Sequence, residues 1–72
     1  MKLYYHPEST HSRKVRALVL ELGLALQEEQ VDIFDGDQRH PSFLALNPSG
    51  QVPTLVDGTQ VVTESNAIMQ YL

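Results

Sequence analysis

Thr54-Leu55-Val56-Asp57-Gly58-Thr59-Gln60-Val61-Val62-Thr63 is the stretch on which the fold turns. Two short β-prone segments, residues 54–56 and Gln60–Thr63, flank Asp57-Gly58, a strong hairpin signal. A helix begins near Ser65 and carries apolar Ala67, Ile68, Met69, Tyr71 and Leu72. Before the hairpin, Asn47-Pro48-Ser49-Gly50 is a turn cluster. Pro41–Leu46 precedes it as a short helix, since proline is tolerated in a first turn and Phe43, Leu44 and Leu46 supply apolar contacts.

The N-terminal half has a different rhythm. Lys2–Tyr5 is short, β-prone and bounded by Pro7, so it reads as a first strand. Ser9, Thr10 and Ser12 lie in the connection that follows, and any of them could cap the next helix. Over residues 13–22, Val15, Leu18, Val19 and Leu22 fall on one helical face, and Gly23 supplies the stop. Residues 26–33 read as a second strand, exposed on one side, because the polar run Gln27-Glu28-Glu29-Gln30 precedes Val31 and Ile33. Asp35, Gly36 and Asp37 read as a loop. The order β-α-β-α-β-β-α predicts an α/β sandwich of thioredoxin-like topology over residues 1–72, with parallel pairing early and an antiparallel pair late. The third helix reaches the last residue without a C-cap signal, so the chain reads as a truncated piece of a longer protein.

Composition bounds the function. Seventy-two residues allow one small domain. A domain of this size buries only about 60% of its unfolded surface and is marginal alone. No cysteine is present, so neither a disulfide nor a thiolate metal site can form, and His6, His11 and His40 lack the spacing of a zinc motif. No metal is expected. Five Lys and Arg against nine Asp and Glu give a net charge of −4, which disfavours nucleic acid and anionic membranes. Lys2, Arg13, Lys14 and Arg16 nevertheless make the first helix region locally positive, which suits an anionic ligand or simply a solvated helix face. No apolar run approaches the ~20 residues of a membrane span. Tyr4-Tyr5-His6-Pro7-Glu8 interrupts any signal-peptide pattern. A cytoplasmic location is the expectation.

Three segments in order carry a resemblance. They are Ser9-Thr10-His11-Ser12-Arg13-Lys14-Val15-Arg16, His40-Pro41-Ser42-Phe43-Leu44-Ala45-Leu46-Asn47-Pro48-Ser49-Gly50-Gln51-Val52-Pro53-Thr54-Leu55, and Thr63-Glu64-Ser65-Asn66-Ala67-Ile68. Together they resemble the N-terminal, glutathione-binding domain of the soluble glutathione transferases, in the serine-type phi, theta and zeta classes. The resemblance spans essentially the whole chain. No tyrosine stands in the Ser9 loop, and no cysteine exists to serve the thiol chemistries of the beta, omega and glutaredoxin-like groups.

The physics of each motif can be set beside what the resemblance implies. Val52 precedes proline and is pushed toward an extended conformation. The resemblance implies that Pro53 is cis, leaving the Val52 backbone free to receive an extended peptide at a sheet edge. Residues Glu64 and Ser65 open the last helix, where unpaired N–H groups favour an anion. The resemblance implies that Ser65 takes the γ-glutamyl carboxylate and that Glu64 faces the ammonium; a plain N-cap is the simpler reading. His40 and Gln51 are similar to the residues that hold the glycyl end, although a histidine before proline is ordinarily just a loop residue. Ser9 matches the catalytic serine. A free thiol has a pKa of about 8.5, and a hydroxyl donating to sulfur stabilises the thiolate. Thr10 and Ser12 are its alternatives, and helix capping is the plain reading for all three.

The implied activity is conjugation of glutathione, as co-substrate, to a small electrophile in cytoplasmic detoxification, by a homodimer in the complete protein. The chain alone is expected to be inactive, because the family's electrophile site and dimer contact come mostly from a helical C-terminal domain absent here. Glutathione-dependent isomerases and dehalogenases share the serine loop. A non-catalytic thioredoxin-like interaction module is the alternative of another class. Retention of Ser9, His40, Gln51, Val52, Glu64 and Ser65 weighs against it.

Overall fold

The computed structural model describes residues 1–32 and 36–72. Four strands form one mixed sheet, β1 (Lys2–Tyr5), β2 (Gln27–Gln30), β3 (Thr54–Asp57) and β4 (Gln60–Thr63), in spatial order β2-β1-β3-β4. Strands β1 and β2 pair in parallel; β1 with β3 and β3 with β4 pair antiparallel. Helices α1 (Thr10–Leu22), α2 (Pro41–Leu46) and α3 (Ser65–Tyr71) complete the thioredoxin-like order.

Register explains the layers. Leu3 stands opposite Leu55, and Leu55 opposite Val62. Side chains alternate along a strand, so this apolar row lies on one face of the sheet. Val15 and Val19 of α1 and Ile68 of α3 pack on Leu3 and Leu55 to form the core. On the other face the Tyr4 ring meets Phe43 of α2 at 5.7 Å between centroids. Ion pairs fasten the β2 edge: Arg16 Nε lies 2.9 Å from Glu28 Oε2, and Lys2 Nζ lies 3.3 Å from Glu29 Oε1. The Arg16 guanidinium also stacks 4.1 Å over the Tyr5 ring.

Local chemistry sets the helix ends, and it moves some of them from where the sequence pattern puts them. Helix α1 begins at Thr10, three residues before its apolar face, because Ser9 is extended and its hydroxyl accepts the Ser12 N–H. It ends where Gly23 turns left-handed at φ 67°; the Gly23 and Leu24 amides then donate to Leu20 and Val19 carbonyls. Of the predicted apolar face, Val15 and Val19 are buried while Leu22, the last residue of the helix, is exposed.

Strand β2 is exposed on both faces rather than one. It stands at the sheet edge and carries no apolar side chain. The strand ends at Gln30, although the Val31 N–H still donates to the Tyr5 carbonyl at 2.7 Å, and Ile33 lies outside the described residues. Of the expected loop at 35–37, Asp35 is likewise outside them, Gly36 is in a turn, and Asp37–Arg39 is a short 3-10 turn. The hairpin turn sits one residue later than Asp57-Gly58. Asp57 pairs with Gln60, so Gly58 and Thr59 are the loop, and Gly58 takes φ 60° as this type of turn requires.

Candidate functional site

One open cleft, of about 590 Å³, gathers the polar residues of three separate segments. The first turn of α1 contributes His11. The loop between α2 and β3 contributes Asn47, Pro48, Ser49, Gln51, Val52 and Pro53. The end of β4 and the start of α3 contribute Thr63, Glu64, Ser65 and Asn66. The volume falls in the range of small-ligand sites, about 300–1,000 Å³.

The α2–β3 loop is shaped by one buried side chain. Asn47 donates from Nδ2 to the Gln51 carbonyl and to Thr54 Oγ1, both at 3.0 Å. Its Oδ1 accepts the Ser49 N–H at 3.1 Å and the Ser49 hydroxyl at 2.7 Å. All four hydrogen-bonding positions of the amide are used. Asn47 is therefore a brace, where the sequence marks it only as part of a turn. Beyond the brace the Val52–Pro53 peptide is cis. Pro53 is buried and Val52 half-buried. Among the described residues, the Val52 N–H and C=O have no intramolecular partner.

The wall opposite is the β4–α3 junction. Glu64 holds φ 70° and ψ 129° and makes no side-chain cap to α3. A non-glycine residue held in so sparse a region costs about 1–3 kcal/mol, and such residues cluster at functional sites. Ser65 follows it, buried yet lining the cleft, with Oγ 3.5 Å from His11 Nδ1.

Of the residues singled out in the sequence, Gln51, Val52, Pro53, Glu64 and Ser65 come together here. Ser9 and His40 do not line this cleft. Ser9 is the N-cap of α1, half-buried, two residues before His11. Its oxygen accepts one amide, which leaves the hydroxyl proton free to be donated. Ser12 is fully buried with its hydroxyl taking the His6 N–H at 3.3 Å, whereas Thr10 is exposed. His40 caps α2: its Nδ1 receives the Ser42 N–H at 3.3 Å and lies 2.8 Å from Ser42 Oγ. It lines a second pocket of about 490 Å³, with Tyr4, Val31 and Phe43. Sequence reading missed His11. With the helix start placed at Arg13, His11 looked like loop; once Ser9 is the cap, His11 is in the first turn, facing α3. Among the described residues no group of three His, Asp or Glu stands ready to hold a metal ion, and no helix is long and apolar enough to cross a membrane.

A thioredoxin-like sheet with a cis-proline loop facing a helix start defines a class of small-ligand domain. Comparison with known proteins sharpens it: residues 8–72 match the family described as glutathione S-transferase, N-terminal domain, and the chain belongs to that family. Glutathione S-transferase 3 of Zea mays is 44% identical over all 72 residues, which cover 32% of its length. A maleylacetoacetate isomerase structure from Methylobacterium extorquens AM1, with bound malonate and glutathione, superposes with a TM-score of 0.93 at 40% identity, over 99% of this chain and 34% of that one. Human glutathione transferase theta-2, in complex with glutathione, gives 0.95 at 36% identity, over 97% and 29%. The chain thus spans about a third of the length of the curated relatives it matches.

Proposed function

We propose that the cleft binds glutathione and that the complete protein conjugates its thiolate to a small electrophile. The observation that carries this reading is the juxtaposition of an unpartnered Val52 backbone with the strained Glu64–Ser65 junction across one cleft. An extended peptide can lie against Val52 as an added strand. Ser65 offers its hydroxyl and N–H to the γ-glutamyl carboxylate, and Glu64 faces the ammonium. Gln51, and His40 from outside the cleft, serve the glycyl end. Ser9, at the N-cap of α1, donates a hydrogen bond from its hydroxyl to the sulfur and favours the thiolate. The sulfur then attacks the electrophilic carbon; a C–S bond forms, the leaving group departs with its electron pair, and the thiol proton passes to solvent. Glutathione in the theta-2 and isomerase relatives supports the ligand.

A second reading, glutathione-dependent isomerisation, is favoured by the likeness to the maleylacetoacetate isomerase. Under either reading the complete protein is a cytoplasmic homodimer, and under the first it serves detoxification. Calorimetry with reduced glutathione tests the site. Ser65→Ala should weaken binding about tenfold, roughly 1.4 kcal/mol, as expected for a hydrogen bond to a charged group. No binding to folded protein leaves an interaction module instead.

A further inference from the structure

A histidine that the proposed function leaves unused faces Ser65. His11 is exposed in the first turn of α1, and its Nδ1 lies 3.5 Å from Ser65 Oγ, joining positions 54 apart in sequence. That distance is at the weak limit of a hydrogen bond, so both groups keep capacity for a ligand atom placed between them. The other titratable side chain lining the cleft is Glu64, at the α3 junction; the α2–β3 loop and Thr63 contribute no ionisable group. Around His11 in its own segment, Glu8 precedes it, and Arg13 and Lys14 follow, exposed to solvent. A protonated His11 opposite Glu64 would make the cleft a matched pair of charges, complementary to an amino-acid end bearing one carboxylate and one ammonium.

We propose that His11 is a charge-selecting residue of this cleft: as imidazolium it donates to the ligand carboxylate held at Ser65, so that binding takes up a proton. The inference rests on the glutathione reading above and adds a residue that reading does not employ. The sign follows from linkage. A carboxylate beside an imidazole favours its charged form, so affinity must rise as pH falls through the range where imidazoles gain a proton.

The probe is S-methylglutathione, whose sulfur has no proton to lose. Titration calorimetry on the full chain, in two buffers of different ionisation enthalpy, reads both affinity and proton uptake. Affinity should rise about three- to fivefold from about pH 7.5 to about pH 5.5, the upper range for an exposed ion pair, with net proton uptake. Both readings are made in a His40→Asn background, because a second imidazole is proposed at the glycyl carboxylate; there His11→Asn and His11→Gln, checked for folding by circular dichroism, should flatten the profile and abolish the uptake. A pH slope that persists in both variants, or a flat profile in the His40→Asn protein, overturns the role of His11 while leaving the glutathione site standing. Failure of the unsubstituted protein to bind either glutathione or S-methylglutathione overturns the site itself.

Discussion

At Gly50 a β-carbon would stand 2.9 Å from the Gln38 carbonyl oxygen and 3.2 Å from Leu44 Cδ2, on a backbone held at φ +66°. The carbonyl belongs to the backbone and cannot yield easily, whereas the Leu44 methyl ends a half-buried side chain. Gly50→Ala should therefore destabilise the domain by about 1–3 kcal/mol, read as a lower urea midpoint. Asn47 acts on the same loop through hydrogen bonds. Asn47→Ala leaves the Thr54 hydroxyl and the Gln51 carbonyl without that donor, at a cost of about 1–3 kcal/mol. Because Gln51 and Val52 follow, glutathione binding should weaken in the same variant even where it remains folded, which calorimetry below the unfolding transition would detect.

Helix ends carry the next set of effects. Ser9 caps α1 and, under the proposed function, also serves the thiol, two duties that substitution can separate. Ser9→Ala should cost about 1 kcal/mol of stability, and Ser9→Gly only a few tenths, because glycine is itself a fair cap. Both should raise the pKa of bound glutathione alike, measured by thiolate absorbance. If the thiol pKa tracked stability instead, Ser9 would be a cap only. At the far end of α3, the Tyr71 hydroxyl donates to Asp57 Oδ2 at 2.5 Å. That hydrogen bond, with lesser help from desolvation and the Asp57 charge, raises the Tyr71 phenol above its ordinary value. A raised phenol stabilises the fold fully below the unfolded pKa and loses that contribution as pH rises through the folded one. The stability difference between wild type and Tyr71→Phe should be constant near neutrality, begin to fall at about pH 10, the ordinary tyrosine value, and vanish only above the raised one.

Taken whole, a 72-residue domain with Leu20 and Leu22 exposed has little apolar burial to spare. Ligand binding should then be visible as stability: glutathione at a hundred times its Kd should raise the unfolding free energy by about 2.7 kcal/mol, seen as a higher thermal midpoint. How much of this was legible beforehand depends on the range of the interactions involved. Helical periodicity in α1, the proline-led start of α2 and the Asp57-Gly58 neighbourhood are local, so element order and topology could be read from the residues. Boundaries slipped where a single side chain decided them: Ser9 drew α1 forward to Thr10, and the Asp57–Gln60 pair moved the turn onto Gly58 and Thr59. The motifs at Gln51-Val52-Pro53 and Glu64-Ser65 were legible as types. Their meeting in one cleft was not, because it depends on α3 packing against α1, which brings the Glu64–Ser65 junction beside the first turn of α1. The sequence by itself therefore determined the elements and the family, through local conformational preference and motif order. Only the tertiary structure decided that His11 faces Ser65, that Asn47 braces the loop, and that Ser9 and His40 stand outside the cleft. The Asn47 brace spans only residues 47–54 but needs their folded arrangement; the others are relations between segments far apart in the chain, and packing sets their distances.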